Sequence, residues 1–256
     1  MGRSDRREGI EWLGRPPDAK AGLTIRLAAA ACRLVGFGML RFRLRVEGRD
    51  HIPEGGYILA CAMHRSWIDP VVILLALPIE PRVWYLGSAE TVFRSRWREI
   101  VMRRVGGFLP VWRGGVDIEG HVEAVAATVD GGAVLGIFPE GSRRGDELAL
   151  QPFRRGTGLI GLRTGATILP VALAGTRDLY LGKRFAVRVL PATDALTLAG
   201  LAAPPEPDTP TELEAARSAT AALAEVIRPH VAELAVWAVD PPERPRRWTW
   251  LSRIVG

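Results

Sequence analysis

Tyr57-Ile58-Leu59-Ala60-Cys61-Ala62-Met63 is followed at once by His64-Arg65-Ser66-Trp67-Ile68-Asp69-Pro70. The first seven residues form an apolar run preceded by glycines and ended by an abrupt polar cluster, the pattern of a buried strand. His64 therefore stands at a strand's carboxyl end, where an α/β sheet opens its ligand crevice. Ser66 or Asp69 can cap a helix beginning with Trp67 or with Pro70, whose fixed φ suits a first helical position. A histidine leaving a strand and an aspartate five residues on, in the next helix's first turn, can fold back onto each other. That gives a general base with its own orienting carboxylate. The same spacing also arises when Asp69 only caps and His64 bonds nearby backbone, so the rest of the chain decides.

Arg43–Glu47 alternates as a strand does, and Arg82–Leu86 reads as another after the Pro70–Leu77 helix. Ala89–Val105 carries a helical pattern. Gly106–Gly114 is a turn and a short apolar strand with Arg113 at its exit. An amphipathic helix over Asp117–Val129 stops at Gly131-Gly132. Ala133–Phe138 is nearly all apolar, as expected of a strand covered by helices on both faces. Ala166–Ala174 is a further buried strand whose Pro170 argues for an edge position or a bulge, and Phe185–Leu190 follows it. Strands alternating with helices predict an α/β fold.

Composition narrows the partners. The chain has 256 residues and is 48% hydrophobic, enough for a sizeable core. Thirty-four basic against 28 acidic residues leave +6, nearly all of the basic residues being arginine. Such a surplus attracts phosphates, whether on an anionic bilayer, a small substrate or nucleic acid. No element interleaves arginines with aromatics to read a groove, so nucleic acid is not an expected partner. Cys32 and Cys61 make neither a disulfide framework nor metal-ligand spacing. Residues 1–19 read as a weakly ordered leader rather than an ordinary secretory signal. No apolar run reaches the roughly 18 residues that spanning a bilayer requires.

The ends have two readings each. Residues 20–41 are rich in Ala and Leu with Arg26, Arg33 and Arg41, either a helix packed on the core or one lying in the plane of a membrane. Residues 191–210 read as a linker. A helix over Thr211 to about Val239 precedes a tail carrying Trp248, Trp250 and four arginines, which suits a bilayer interface or packs on the domain.

The chemistry collects in two more places. Phe138-Pro139-Glu140-Gly141-Ser142-Arg143 closes a strand with a carboxylate, a glycine for close approach, a hydroxyl and a guanidinium. A polar turn uses the same residue types. Arg113 at its strand end offers a rigid, always-charged fork that fits a phosphate.

His64-x4-Asp69, Arg113, Phe138–Arg143 and Ile168-Leu169-Pro170-Val171 occur in a set order and spacing. This resembles the glycerolipid acyltransferase family, typified by 1-acylglycerol-3-phosphate (lysophosphatidate) acyltransferases, over residues 43–190. The resemblance implies a mixed, largely parallel central sheet flanked by helices in a domain of residues 42–190, with helical N- and C-terminal additions (20–41 and 211–256). It implies acyl transfer from acyl-CoA or acyl carrier protein to a lysophospholipid, with no cofactor or metal. Imidazole, with an unperturbed pKa near about 6.5, can take the hydroxyl proton near neutral pH. His64 would be that base and Asp69 its orienter, while Arg113, Glu140, Gly141, Ser142 and Arg143 would bind the acceptor's glycerol and phosphate. An anionic membrane surface on the cytoplasmic side of the plasma membrane is the expected location, peripheral or monotopic. Oligomeric state is left open.

Overall fold

The computed structural model describes residues 17–92, 107–111, 118–143, 148–240 and 246–252. In chain order these are α1 (Leu23–Arg33), continued by a π-helical turn over Leu34–Met39, then β1 (Arg43–Glu47), β2 (Tyr57–Ala62) and α2 (Asp69–Ala76). There follow β3 (Val83–Ser88), α3 (Ala89–Val92), β4 (Phe108–Val111), α4 (Ile118–Asp130) and β5 (Val134–Ile137). The last third holds α5 (Gly156–Thr164), β6 (Ile168–Ala174), β7 (Arg184–Val189), α6 (Ala195–Ala199) and α7 (Pro210–Ala238).

Seven strands make one sheet in the order β1-β7-β6-β2-β5-β3-β4, parallel throughout except where β6 meets β7. This is the mixed, largely parallel sheet expected. β2 sits at its centre with all six residues buried, which is why its sequence shows no polar alternation. Passing from β2 to β3 through α2 moves along the sheet in one direction, and passing from β4 to β5 and from β5 to β6 moves in the other. Right-handed crossovers then put α2 on one face and α4 and α5 on the opposite face; α1 packs beside α2, and α7 packs with α5 on β6 and β7.

Pro170 is not at an edge. β6 is an inner strand, and Ala60 of β2 lies opposite Pro170. The missing N–H falls where β6 and β7 change register: Val171 opposes Val189, yet Ile168 opposes Thr193, three steps against four. A bulge absorbs the extra residue, and the Pro170 carbonyl still accepts from the Leu190 N–H at 3.0 Å. Residues 191–210 are also more than a linker. Asp194 caps α6 by accepting the Thr197 N–H at 2.9 Å, and Ala195 is buried as α6 packs on α7. A five-residue helix is too short for a hydrophobic period to announce it.

α7 lays a stripe of Ala216, Ala219, Leu223, Ile227, Val231 and Leu234 on β6, β7 and α5. Its first turn is tied by a two-pronged Arg163–Glu212 pair at 2.7 and 2.8 Å. Residues 246–252 pack on the domain: Leu181 N–H donates to the Arg247 carbonyl at 3.0 Å, and Leu251 is buried. α1 and its π-helical turn bury only Ala29 and Gly36.

Candidate active site

The turn that presents His64 is built from three sides. Met63 leaves β2 at φ +73, a left-handed conformation unusual for a side chain of its size. Such a conformation costs of order 1–3 kcal/mol and persists only where neighbours over-determine it. Here the neighbour is Glu140, whose Oε1 accepts the Met63 N–H at 2.6 Å. Its Oε2 accepts from Nη1 of Arg65, which also donates to the His64 carbonyl at 3.0 Å. Arg65 Nη2 reaches the Ala149 carbonyl at 2.8 Å. One buried ion pair thereby staples the strand exit to the β5 loop and the 148–155 segment.

Within that turn His64 Nδ1 lies 2.6 Å from Asp69 Oδ2. The same Oδ2 accepts the backbone N–H groups of Arg65 (2.8 Å) and Ser66 (2.9 Å). Asp69 is completely buried, while the His64 side chain is 20% exposed. The carboxylate can only accept, so Nδ1 carries the hydrogen and Nε2 is the nitrogen able to take a proton. Asp69 is the first residue of α2 and does not cap it; the N-cap Ile68 makes no side-chain bond, while Ser66 Oγ accepts the Ile68 N–H at 3.3 Å in the turn that leads into the helix. The two carboxylate oxygens do not divide capping and orienting between them. Oδ2 does all the orienting, and Oδ1 is buried with no hydrogen-bond partner among the described residues.

Phe138 lies flat on the imidazole, centroids 4.0 Å apart and planes 17° from parallel, and Tyr85 stacks behind it at 5.7 Å. Gly136 makes that row possible, since a Cβ there would come within 2.5 Å of the Tyr85 ring. The Tyr85 hydroxyl is buried without a hydrogen-bond partner among the described residues. Burial pushes its pKa well up, reinforced by Cys61 and Asp69 nearby, so it stays protonated.

The resemblance put Glu140 among the groups that bind the acceptor. The structure gives it a different position: its side chain is 0% exposed and both oxygens are engaged by the turn. Burial pushes its carboxyl above the usual range, against the opposing pull of Arg65. Gly141 adopts φ +62, and a Cβ would meet the Arg154 side chain at 2.6 Å, so the loop needs glycine here. Ser142 is half-buried, and Arg143 is exposed with its guanidinium 4.5 Å over the Trp67 ring. Arg113 lies outside the described residues. Sequence reasoning missed Arg65, Phe138 and Tyr85 as parts of the site. A cation directly beside His64 at the end of an apolar strand was the one signal for Arg65, because such a charge needs a buried partner.

A cavity of about 420 Å³ begins beside Trp67 and Ile68. Its walls are Val35, Phe42, Leu75 and their apolar neighbours, with Leu251 from the C-terminal segment. It is large enough for a small ligand and suits one with no polar groups. No three His, Cys, Asp or Glu side chains gather as a metal site among the described residues.

The sequence profile of the family described as Acyltransferase matches residues 43–174. A 1-acyl-sn-glycerol-3-phosphate acyltransferase of Bacillus subtilis is 28% identical over 138 residues, covering 53% of this chain and 65% of that protein. The matched stretch is thus just under two thirds of that relative's length. One of Borreliella burgdorferi is 26% identical over 177 residues, covering 66% of this chain and 68% of that protein. The crystal structure of the 1-acyl-sn-glycerophosphate acyltransferase PlsC of Thermotoga maritima shares the fold, with a TM-score of 0.56 over 82% of this chain and 80% of that one at 22% identity.

Proposed function

The chain belongs to the acyltransferase family, and from that premise we propose that it moves a fatty acyl group from an acyl thioester to the hydroxyl of a lysophospholipid, first of all lysophosphatidate, giving phosphatidate. The observation that carries this reading is the 2.6 Å contact between His64 Nδ1 and the wholly buried Asp69. His64 Nε2 takes the acceptor's hydroxyl proton while the oxygen attacks the thioester carbonyl. Asp69 holds the tautomer and offsets the imidazolium charge. The tetrahedral intermediate then collapses, breaking the carbon–sulfur bond, and His64 returns the proton to the departing thiolate. The step uses no metal, redox group or enzyme nucleophile.

The rest of the site supports the same reaction. Arg143 and Ser142 stand at the loop beside His64, where a charged fork and a hydroxyl suit a phosphate and a glycerol oxygen. Arg113 is assigned to the same phosphate by its place in the family pattern. The 420 Å³ apolar cavity beside Trp67 suits the acyl chain. Outside it, α1 and its extension expose Leu23, Leu27, Leu34 and Met39, each more than half accessible, with Arg26 and Arg33 on the same helix. Such a surface fits a helix lying in the headgroup boundary of an anionic bilayer, the cytoplasmic face of the plasma membrane. No helix among the described residues is long and apolar enough to cross a membrane. Incubating the protein with a panel of lysolipids and acyl-CoA or acyl carrier protein donors, read by mass spectrometry, tests the assignment. Phosphatidate as the main product supports it, and no acyl product from any lysolipid overturns it.

A further inference from the structure

A second cavity, of about 380 Å³, lies between the 150–155 segment and α7. Leu150, Phe153 and Ala221 contribute apolar wall, Arg155, Arg217 and Arg228 contribute guanidinium groups from two separate elements, and one carboxylate, Glu225, lines the cavity with them. Arg217 and Arg228 pair only with Glu214 and Glu225, three residues away on the same exposed helix surface, among the described residues. Such pairs are weak and screened, so both cations can turn to a stronger anion. Arg155 precedes the first turn of α5, whose backbone N–H groups add positive field to the same rim.

The cavity is fastened to the active site. The Arg154 N–H donates to the Pro139 carbonyl at 2.8 Å, and the Ala149 carbonyl receives Arg65 at 2.8 Å. Both anchor the 148–155 segment to the carboxyl ends of β2 and β5, the end of the sheet where His64 emerges. The apolar cavity beside Trp67 lies on the α1/α2 face, and the arginine-lined one lies on the α5/α7 face. His64 stands at the strand end between them. A thioester has this same layout, with an apolar chain on one side of the reacting carbonyl and a carrier on the other.

We propose that the α5/α7 cavity binds the phosphorylated adenosine head of coenzyme A, an assignment that rests on the thioester reading above. Guanidinium forks suit phosphates, and the apolar wall with Phe153 suits a planar base. A small concave site fits a nucleotide better than it fits the convex surface of an acidic carrier protein.

The test replaces Arg217 and Arg228 together by alanine, both on the outer surface of α7. A thermal melt within a few degrees of wild type shows that the variant folds. KM for a long-chain acyl-CoA should rise about tenfold or more, the scale of a charge-assisted bond lost, with kcat within twofold. With an acyl thioester of N-acetylcysteamine, which carries no phosphate, the variant-to-wild-type ratio should return to within twofold. Adenosine 3′,5′-bisphosphate should compete with acyl-CoA on the wild type and much more weakly on the variant. An unmoved KM for acyl-CoA, an equal loss with both donors, or a wild type that turns over acyl carrier protein but not acyl-CoA overturns the assignment. A wild type that transfers from none of these donors refutes the acyltransferase reading instead, so the two failures are separable.

Discussion

Arg65 and Glu140, 75 residues apart in sequence, meet as an ion pair with side chains 1% and 0% exposed. Both side chains are closed off from solvent. The pair closes the turn that carries His64, with Glu140 also gripping the N–H of Met63 in its left-handed conformation. Buried ion pairs seldom add net stability, because desolvation offsets attraction. Here the gain is positional, since the pair holds the base and its loop in one arrangement.

Arg65→Met removes one partner and strands the other. Loss of half a buried pair costs about 3–5 kcal/mol, so the variant should unfold at markedly lower denaturant near neutral pH. The sign of the pH dependence follows from Glu140. Burial raises its folded pKa above 4.5 even with Arg65 present, and the variant loses the guanidinium that pulls it down most, keeping only the backbone N–H bonds. Protonation is therefore favoured in the folded state. The deficit should shrink as pH falls to about 4.5 and below and grow as pH rises through the raised value. Denaturant titrations at several pH values check this, and a deficit independent of pH would argue against an ionised Glu140.

Asp69→Asn keeps the shape of the side chain but loses the charge and the demand for an Nδ1 hydrogen. Turnover should fall on the order of 10³- to 10⁴-fold, with KM for donor and acceptor changed little. Steady-state kinetics separate the two parameters. A fall confined to KM would make Asp69 a binding residue rather than an orienter.

Cys32→Trp fills part of the apolar cavity from the α1 side. Each methylene denied its place costs roughly 0.8 kcal/mol, about fourfold in kcat/KM. The longest acyl chain used well should become shorter, while short chains react as before. A chain-length series of acyl donors reads this directly, and an unchanged profile would move the acyl site elsewhere.

Leu27→Ser, Leu34→Ser and Met39→Ser together remove side chains that are 60%, 69% and 66% exposed. The fold should lose little, because these side chains are mostly exposed. Partitioning onto vesicles of anionic phospholipid should weaken by roughly two orders of magnitude. Sedimentation with vesicles measures it, and unchanged binding would assign membrane contact to another surface.

How far the sequence foretold this molecule depended on the distance over which each feature is set. His64 and Asp69 were readable because a strand end, five residues and a helix start bring them together locally. The α/β fold was readable from unalternating strands such as Val134–Ile137 set between helices, while the largely parallel sheet followed from the family resemblance. The role of Glu140 was not readable, because its partners Met63 and Arg65 arrive through the pairing of β2 with β5. The same holds for the Phe138 stack on His64. Pro170 left two readings, an edge or a bulge, and only the pairing of β6 with β7 selects the bulge. Asp194 and its short helix went unseen because α7, not local periodicity, holds them in place. The Arg113 expectation falls outside the described residues.

The most direct test is the rate at which His64→Ala forms phosphatidate from lysophosphatidate and a long-chain acyl-CoA, measured beside wild type and with thermal unfolding followed on the same samples. General-base catalysis by a positioned side chain contributes about 10²- to 10⁴-fold, so transfer should drop by that factor while the melting temperature stays within a few degrees. Undiminished transfer by a folded His64→Ala protein would contradict the account.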